Sequence, residues 1–119
     1  MMPIERRVRG FFRFCAIYGF CVLPLVLLGP PWAAGQEVRI GFVGVALVFQ
    51  WVFWIIADDP RRYHRLMLSA VAEKLVFAIP ALVLVAQHRA AASLAPFAAI
   101  DLAMGFGFAL SWRAIGRSA

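Results

Sequence analysis

Charged side chains are scarce in this chain: Asp, Glu, Lys and Arg together make up 15% of its 119 residues. Water-soluble domains carry about 25% charged and about 45–50% apolar residues, whereas here the apolar share is 64%. So small a body cannot hide that surplus, because even a 150-residue domain buries only about 70% of its chain surface. The shortage of charge therefore argues against an ordinary soluble fold and makes a lipid bilayer the expected solvent and first partner.

Cysteine is equally sparse. Cys15 and Cys21 are the only two, and no C-x-x-C occurs, which weighs against quinone-coupled thiol oxidation. On a helix their side chains lie about 120° apart around the axis and about 9 Å along it, beyond the reach of a disulfide. Small apolar packing is their expected role. His64 and His88 have no second ligand at metal spacing, so no metal site is expected. No nucleophile–base pair stands out, so neither an enzyme nor a cofactor is expected. No repeat, low-complexity stretch or long linker divides the chain, and a single domain is expected.

What remains is four long apolar runs, at residues 11–29, 40–57, 66–87 and 94–112. Each is close to the roughly 20 residues that cross about 30 Å of hydrocarbon as a helix. Continuous runs of this kind are helices rather than barrel strands, because lipid offers no partner for backbone N–H and C=O groups. Pro30–Pro31 and Asp58–Asp59–Pro60 close the first two runs. Short connections make consecutive helices antiparallel neighbours, so the predicted fold is all-α, an integral membrane up-and-down four-helix bundle. The first run exceeds the roughly 7–15 apolar residues of a secretory signal. Pro30, Pro31 and Trp32 also crowd Ala33 and Gly35, the small residues where cleavage would occur, so the run is expected to be retained.

Arginine placement predicts orientation. Arg6, Arg7, Arg9, Arg13, Arg61, Arg62, Arg65, Arg113 and Arg117 lie on one side of such a bundle, and only Arg39 and Arg89 on the other. By the positive-inside rule both ends of this sequence face the cytoplasm, and the Arg-heavy, Ala-rich composition points to a bacterial inner membrane. Trp32, Tyr63 and Trp112 fall at the expected interfaces. The net charge of +6 does not imply nucleic acid, because the basic residues cap apolar runs instead of forming one basic face. The loop ADDPRRYHRLM is read as a tight turn whose charges pair among themselves, with Arg61, Arg62 and Arg65 available to anionic lipid at about 1 kcal/mol each.

Four polar residues sit within roughly two helical turns of mid-depth: Gln50, Glu73, Lys74 and Asp101. An ionisable group there costs about 2.5–3.5 kcal/mol on insertion scales, so each calls for a partner or a purpose. Glu73 and Lys74 point about 100° apart. Glu73 is expected to face the bundle, drawing a donor from Gln50, Tyr18 or Arg13, while Lys74 either pairs with Asp101 or snorkels toward the cytoplasmic surface. The set either locks the helices in register or lines a ligand-binding cavity for a head group, substrate or proton.

Ala95, Ala99, Ala103 and Gly107 form a stripe of small residues that serves packing within the bundle or a homodimer contact. Asp101 points to a different neighbour. Pro24 and Pro80 are expected to kink their helices. Trp51, Phe53 and Trp54 either pack and face lipid or line a sterol- or quinone-like pocket.

The segment DPRRYHRLMLSAVAEKL together with IDLAMGFGFAL resembles small four-helix membrane proteins of bacteria related to the DoxX-like families, over roughly half the chain. The resemblance implies an inner-membrane four-helix bundle and supplies no catalytic residue. The expected function is non-enzymatic binding of a small amphipathic ligand, lipid or partner in a polar intramembrane pocket. The alternatives are a small proton-coupled transporter and an accessory membrane subunit of a redox or respiratory complex.

Overall fold

The computed structural model describes residues 3–28 and 36–117, and every regular element among them is helical. Helix α1 spans Pro3–Val22 and continues as a 3-10 stretch, Leu23–Leu28; α2 spans Gln36–Asp58, α3 Leu66–Ala86 and α4 Leu94–Arg117. Three helices overrun their apolar cores, α2 beginning at Gln36 instead of Ile40. α1 begins at Pro3 instead of Phe11, a first-turn position where the missing N–H of proline costs nothing. α4 runs past Trp112 to Arg117, whose cation complements the helix C-terminus. Hydropathy locates the part of a helix suited to lipid, while helical hydrogen bonding continues into the polar flanks. Gly29, Pro30, Pro31, Trp32, Ala33 and Gly35 lie outside the described residues, and with them the predicted end of the first span and the small residues of a cleavage site.

The two internal prolines differ in effect. At Pro24 the chain tightens from α to 3-10 geometry, consistent with the loss of a backbone donor. Pro80 lies inside α3, which stays α-helical through it. α3 stops at His88, which adopts a left-handed φ of 57°. His88 N–H donates to Val85 O and Arg89 N–H to Leu84 O, the paired bonds that close a helix in a Schellman motif.

Contacts fix the relative directions of the helices. Arg13 and Gly19 of α1 meet Asp58 and Gln50 of α2. Phe42 of α2 meets Phe77 of α3, and Lys74 of α3 meets both Gly105 and Asp101 of α4. Phe11 of α1 meets Gly107 and Phe108 of α4. Each neighbouring pair is antiparallel.

One end of the bundle is filled by aromatic side chains. Phe12 stacks on Phe108 with ring centroids 4.4 Å apart, and Phe53 lies 4.8 Å from Phe108. Ile56, Met67, Ala70 and Ile115 complete this core, all buried. The same end carries the bundle's cross-links of charge, Arg13–Asp58 at 3.0 Å and Glu5–Arg61 at 2.5 Å. Asp58 and Arg61 of the loop thus pair with α1, which extends far enough to bring Glu5 and Arg13 alongside, while Asp59 Oδ1 accepts from the Arg62 backbone N–H within the loop. Glu5 engages the Arg61 guanidinium, whereas Arg62 and Arg65 are exposed.

The outward faces are apolar too. Each helix contains an 18-residue window of mean hydropathy between 1.6 and 2.2, and no more than 33% of any window is buried within the protein. Phe14, Val45, Val76 and Phe106, one from each helix, all point outward. Four helices that are apolar inside and out have the length and composition to cross a membrane.

Candidate functional site

Above the aromatic core the helices come close at two glycines. A Cβ on Gly19 would overlap the side chain of Gln50, and one on Gly105 would stand 3.1 Å from Lys74 Cβ. These approaches, α1 to α2 and α3 to α4, bury Gln50 to 1% exposure and Lys74 to 3%. Glycine is thus what admits two polar side chains to the interior.

Gln50 Nε2 donates to Ala46 O at 2.8 Å. That bond fixes the amide orientation, since a carbonyl can only accept. Gln50 Oε1 lies against Gly19 and accepts no hydrogen bond. Lys74 Nζ stands 3.7 Å from Glu73 Oε2 and 3.5 Å from Asp101 Oδ1. It also lies 5.2 Å from the centroid of the Phe53 ring, a cation–π contact of the kind worth about 2 kcal/mol when desolvated. Both carboxylate distances exceed the roughly 2.7–2.9 Å of a tight charge-assisted hydrogen bond, and Glu73 Oε2 accepts no hydrogen bond.

All four residues singled out at mid-depth, Gln50, Glu73, Lys74 and Asp101, line one cavity of about 410 Å³. Ligand sites commonly occupy about 300–1,000 Å³. Its other walls are mainly apolar, including Leu25 and Val26 of the 3-10 stretch, Phe42 of α2, Phe77 of α3 and Phe97 of α4. The polar groups form its floor against the aromatic core, and the apolar walls rise toward the opposite end of the bundle. Lys74 is the one cation among the lining residues, facing two carboxyl groups, so acidic groups outnumber basic ones on the floor by one.

Of the two expected destinations of Lys74 the structure shows the pair with Asp101, and Lys74 also stands beside Glu73, because Phe53 and Gly105 hold it inside. Other pairings differ from expectation. Neither Gln50 nor Arg13 serves Glu73. The Gln50 amide is spent on the Ala46 carbonyl, and Arg13 reaches Asp58 and the face of Trp54. Tyr18 lines the cavity, whereas Phe53 belongs to the core and Trp51 faces outward. The small-residue stripe of α4 divides. Gly107 is taken up by the Phe11 ring of the same chain, while Ala99 and Ala103 are exposed along an open groove beside α3, on a different side from Asp101. His64 stacks on Trp112, its Nε2 2.6 Å from Trp112 O, tying the second loop to α4.

Sequence reasoning missed Gly19 and Gly105, although glycine in an apolar run is a recognised sign of close helix approach. Gly19→Ala is expected to destabilise the protein by about 1–3 kcal/mol through overpacking. Gly44→Ala, where nothing lies within 4 Å of the added Cβ, should be neutral or slightly stabilising. Thermal unfolding of the two variants in detergent checks the contrast.

No family model, curated protein or solved structure matches this chain. The DoxX-like resemblance gains no support from them.

Proposed function

We propose that this chain is a multi-pass membrane protein that binds a small amphipathic ligand in the cavity above its aromatic core. The observation that carries the reading is Gln50, a fully buried amide in the cavity wall whose carbonyl oxygen accepts no hydrogen bond. A polar cluster that served only to lock helices together would close its own bonds, since an unmet buried acceptor costs about 1–3 kcal/mol. Here Gln50 Oε1 is left over and Glu73 Oε2 has only a loose ion pair with Lys74, beside a volume large enough for a small molecule. Such a site, apolar with a few convergent polar groups, is the usual form of a ligand pocket.

The arginine bias supports an orientation with the aromatic core in the cytoplasmic half of the bilayer. The cavity then occupies the outer half, and exposed Arg62 and Arg65 face anionic head groups. Ala99 and Ala103 are the part of the small-residue stripe available to a second copy.

The test compares the wild type with the triple variant Glu73→Gln, Lys74→Met, Asp101→Asn, which leaves no unpaired buried charge, by thermal unfolding and by native mass spectrometry of what each retains through purification. Preserved stability with loss of a bound small molecule is the expected outcome. A large fall in stability, with no bound molecule in either protein, would make the cluster structural.

The excess carboxylate favours one second reading, proton-coupled transport, because a carboxylate without its own cation can exchange a proton. Proton flux in proteoliposomes that vanishes in Glu73→Gln would select it over binding alone.

A further inference from the structure

The groups left unmatched on the cavity floor describe what would match them. The floor offers two carboxylates against one ammonium, and its buried atoms without a hydrogen bond, Gln50 Oε1 and the ion-paired Glu73 Oε2, are both acceptors. Among the described residues, no buried donor nitrogen or oxygen of the floor is without a partner. The side chains of Glu73 and Asp101 keep 15% and 20% exposure, so part of that negative charge faces the open volume. Above it the walls are apolar and aromatic, with Phe42, Phe77 and Phe97 rising from three different helices.

From this we infer that the ligand is a lipophilic amine: an ammonium group with N–H donors seated among Glu73, Asp101 and Gln50, and an apolar tail lying along the aromatic walls toward the opposite end of the bundle. The inference rests on the cavity being a binding site and adds the chemical class of its occupant. An ammonium neutralises the excess charge and supplies hydrogens to the unmet acceptors, with a small rotation of the Gln50 amide away from Gly19. A neutral alcohol supplies one hydrogen and no charge. A carboxylate or phosphate head brings a second repulsion in a medium of low dielectric, where like charges are costly. Lys74 stays in place beneath the ligand, held by Phe53.

Four probes of one tail length separate these terms: octylamine, octan-1-ol, octanoate and octyltrimethylammonium. Saturable binding of each is measured by calorimetry to the full chain in lipid nanodiscs, with protein-free nanodiscs as the control. Octylamine is expected to bind at least tenfold more tightly than octan-1-ol and than octyltrimethylammonium, which has charge without N–H donors, while octanoate shows no saturable binding. Glu73→Gln should remove most of the preference for the amine. Ala46→Phe, which fills the cavity beside Gln50 while keeping every charge, should abolish binding of all the probes, and thermal unfolding confirms that each variant is folded. Equal or tighter binding of octan-1-ol or octanoate, sensitive to Ala46→Phe, overturns the amine assignment and leaves the cavity as a site for another ligand. No saturable binding by any probe overturns both.

Discussion

Lys74→Met is expected to destabilise the bundle by about 3–5 kcal/mol, the range observed when one partner of a buried ion pair is removed. The Lys74 ammonium is the one cation on the cavity floor, within 4 Å of both carboxylates, and its side chain is 4% exposed. Methionine keeps much of its length and its contact with Phe53 but leaves Glu73 and Asp101 facing each other in an apolar setting. Adding Glu73→Gln and Asp101→Asn to Lys74→Met should recover most of the loss, since exchanging a whole buried charge set for neutral groups is often close to neutral. Thermal unfolding in one detergent compares the single and triple variants. A Lys74→Met protein as stable as the wild type would mean that the carboxylates do not depend on this cation.

The second large effect is expected at the other end of the same helices. Phe108 is fully buried and touches the rings of Phe11, Phe12 and Phe53. In water Phe→Ala in a core costs about 3–5 kcal/mol. In lipid part of that cost disappears, because the unfolded helix also keeps Phe108 out of water. What remains is lost packing around the hole, so about 2–3 kcal/mol is expected for Phe108→Ala. Phe106, two residues away and 67% exposed, should tolerate alanine with little change. Equal effects at the two positions would mean that the aromatic stack does not hold α1, α2 and α4 together. Gly107 lies between these residues and receives Phe11, and two steps along a helix turn about 200°, which is why a single helix can present a packed and an outward face within one turn.

The properties that could be read along the chain are those set by the solvent. Unbroken apolar runs mark four helices because only helices and closed barrels satisfy a backbone in hydrocarbon, and barrel strands alternate instead of running apolar throughout. Depth along each run brought Gln50, Glu73, Lys74 and Asp101 to one level, and they line one cavity. What could not be read was pairing. Lys74 had two plausible destinations, and the choice fell to Phe53 and Gly105, neither of which is near it in sequence. The Glu5–Arg61 pair was not legible, because it needs α1 to begin at Pro3 and carry Glu5 alongside the second loop. Gly19 carried a legible signal, but the partner that needs its missing Cβ is on another helix. The 3-10 stretch was half legible: Pro24 announced a break in the α-helix, but not that the tightened turns beyond it would wall the cavity.

Every energetic statement about the polar floor assumes that hydrocarbon surrounds the four helices. Nitroxide labels test this most directly, placed singly at Ile17, Val48, Val76 and Phe106, one outward-facing position per helix, in a Cys15→Ala, Cys21→Ala background reconstituted into vesicles. At all four sites collision with dissolved oxygen should far exceed collision with a water-soluble nickel chelate, as it does for groups held in acyl chains. Ready access of the chelate to these sites would place the outward faces in water and contradict the account.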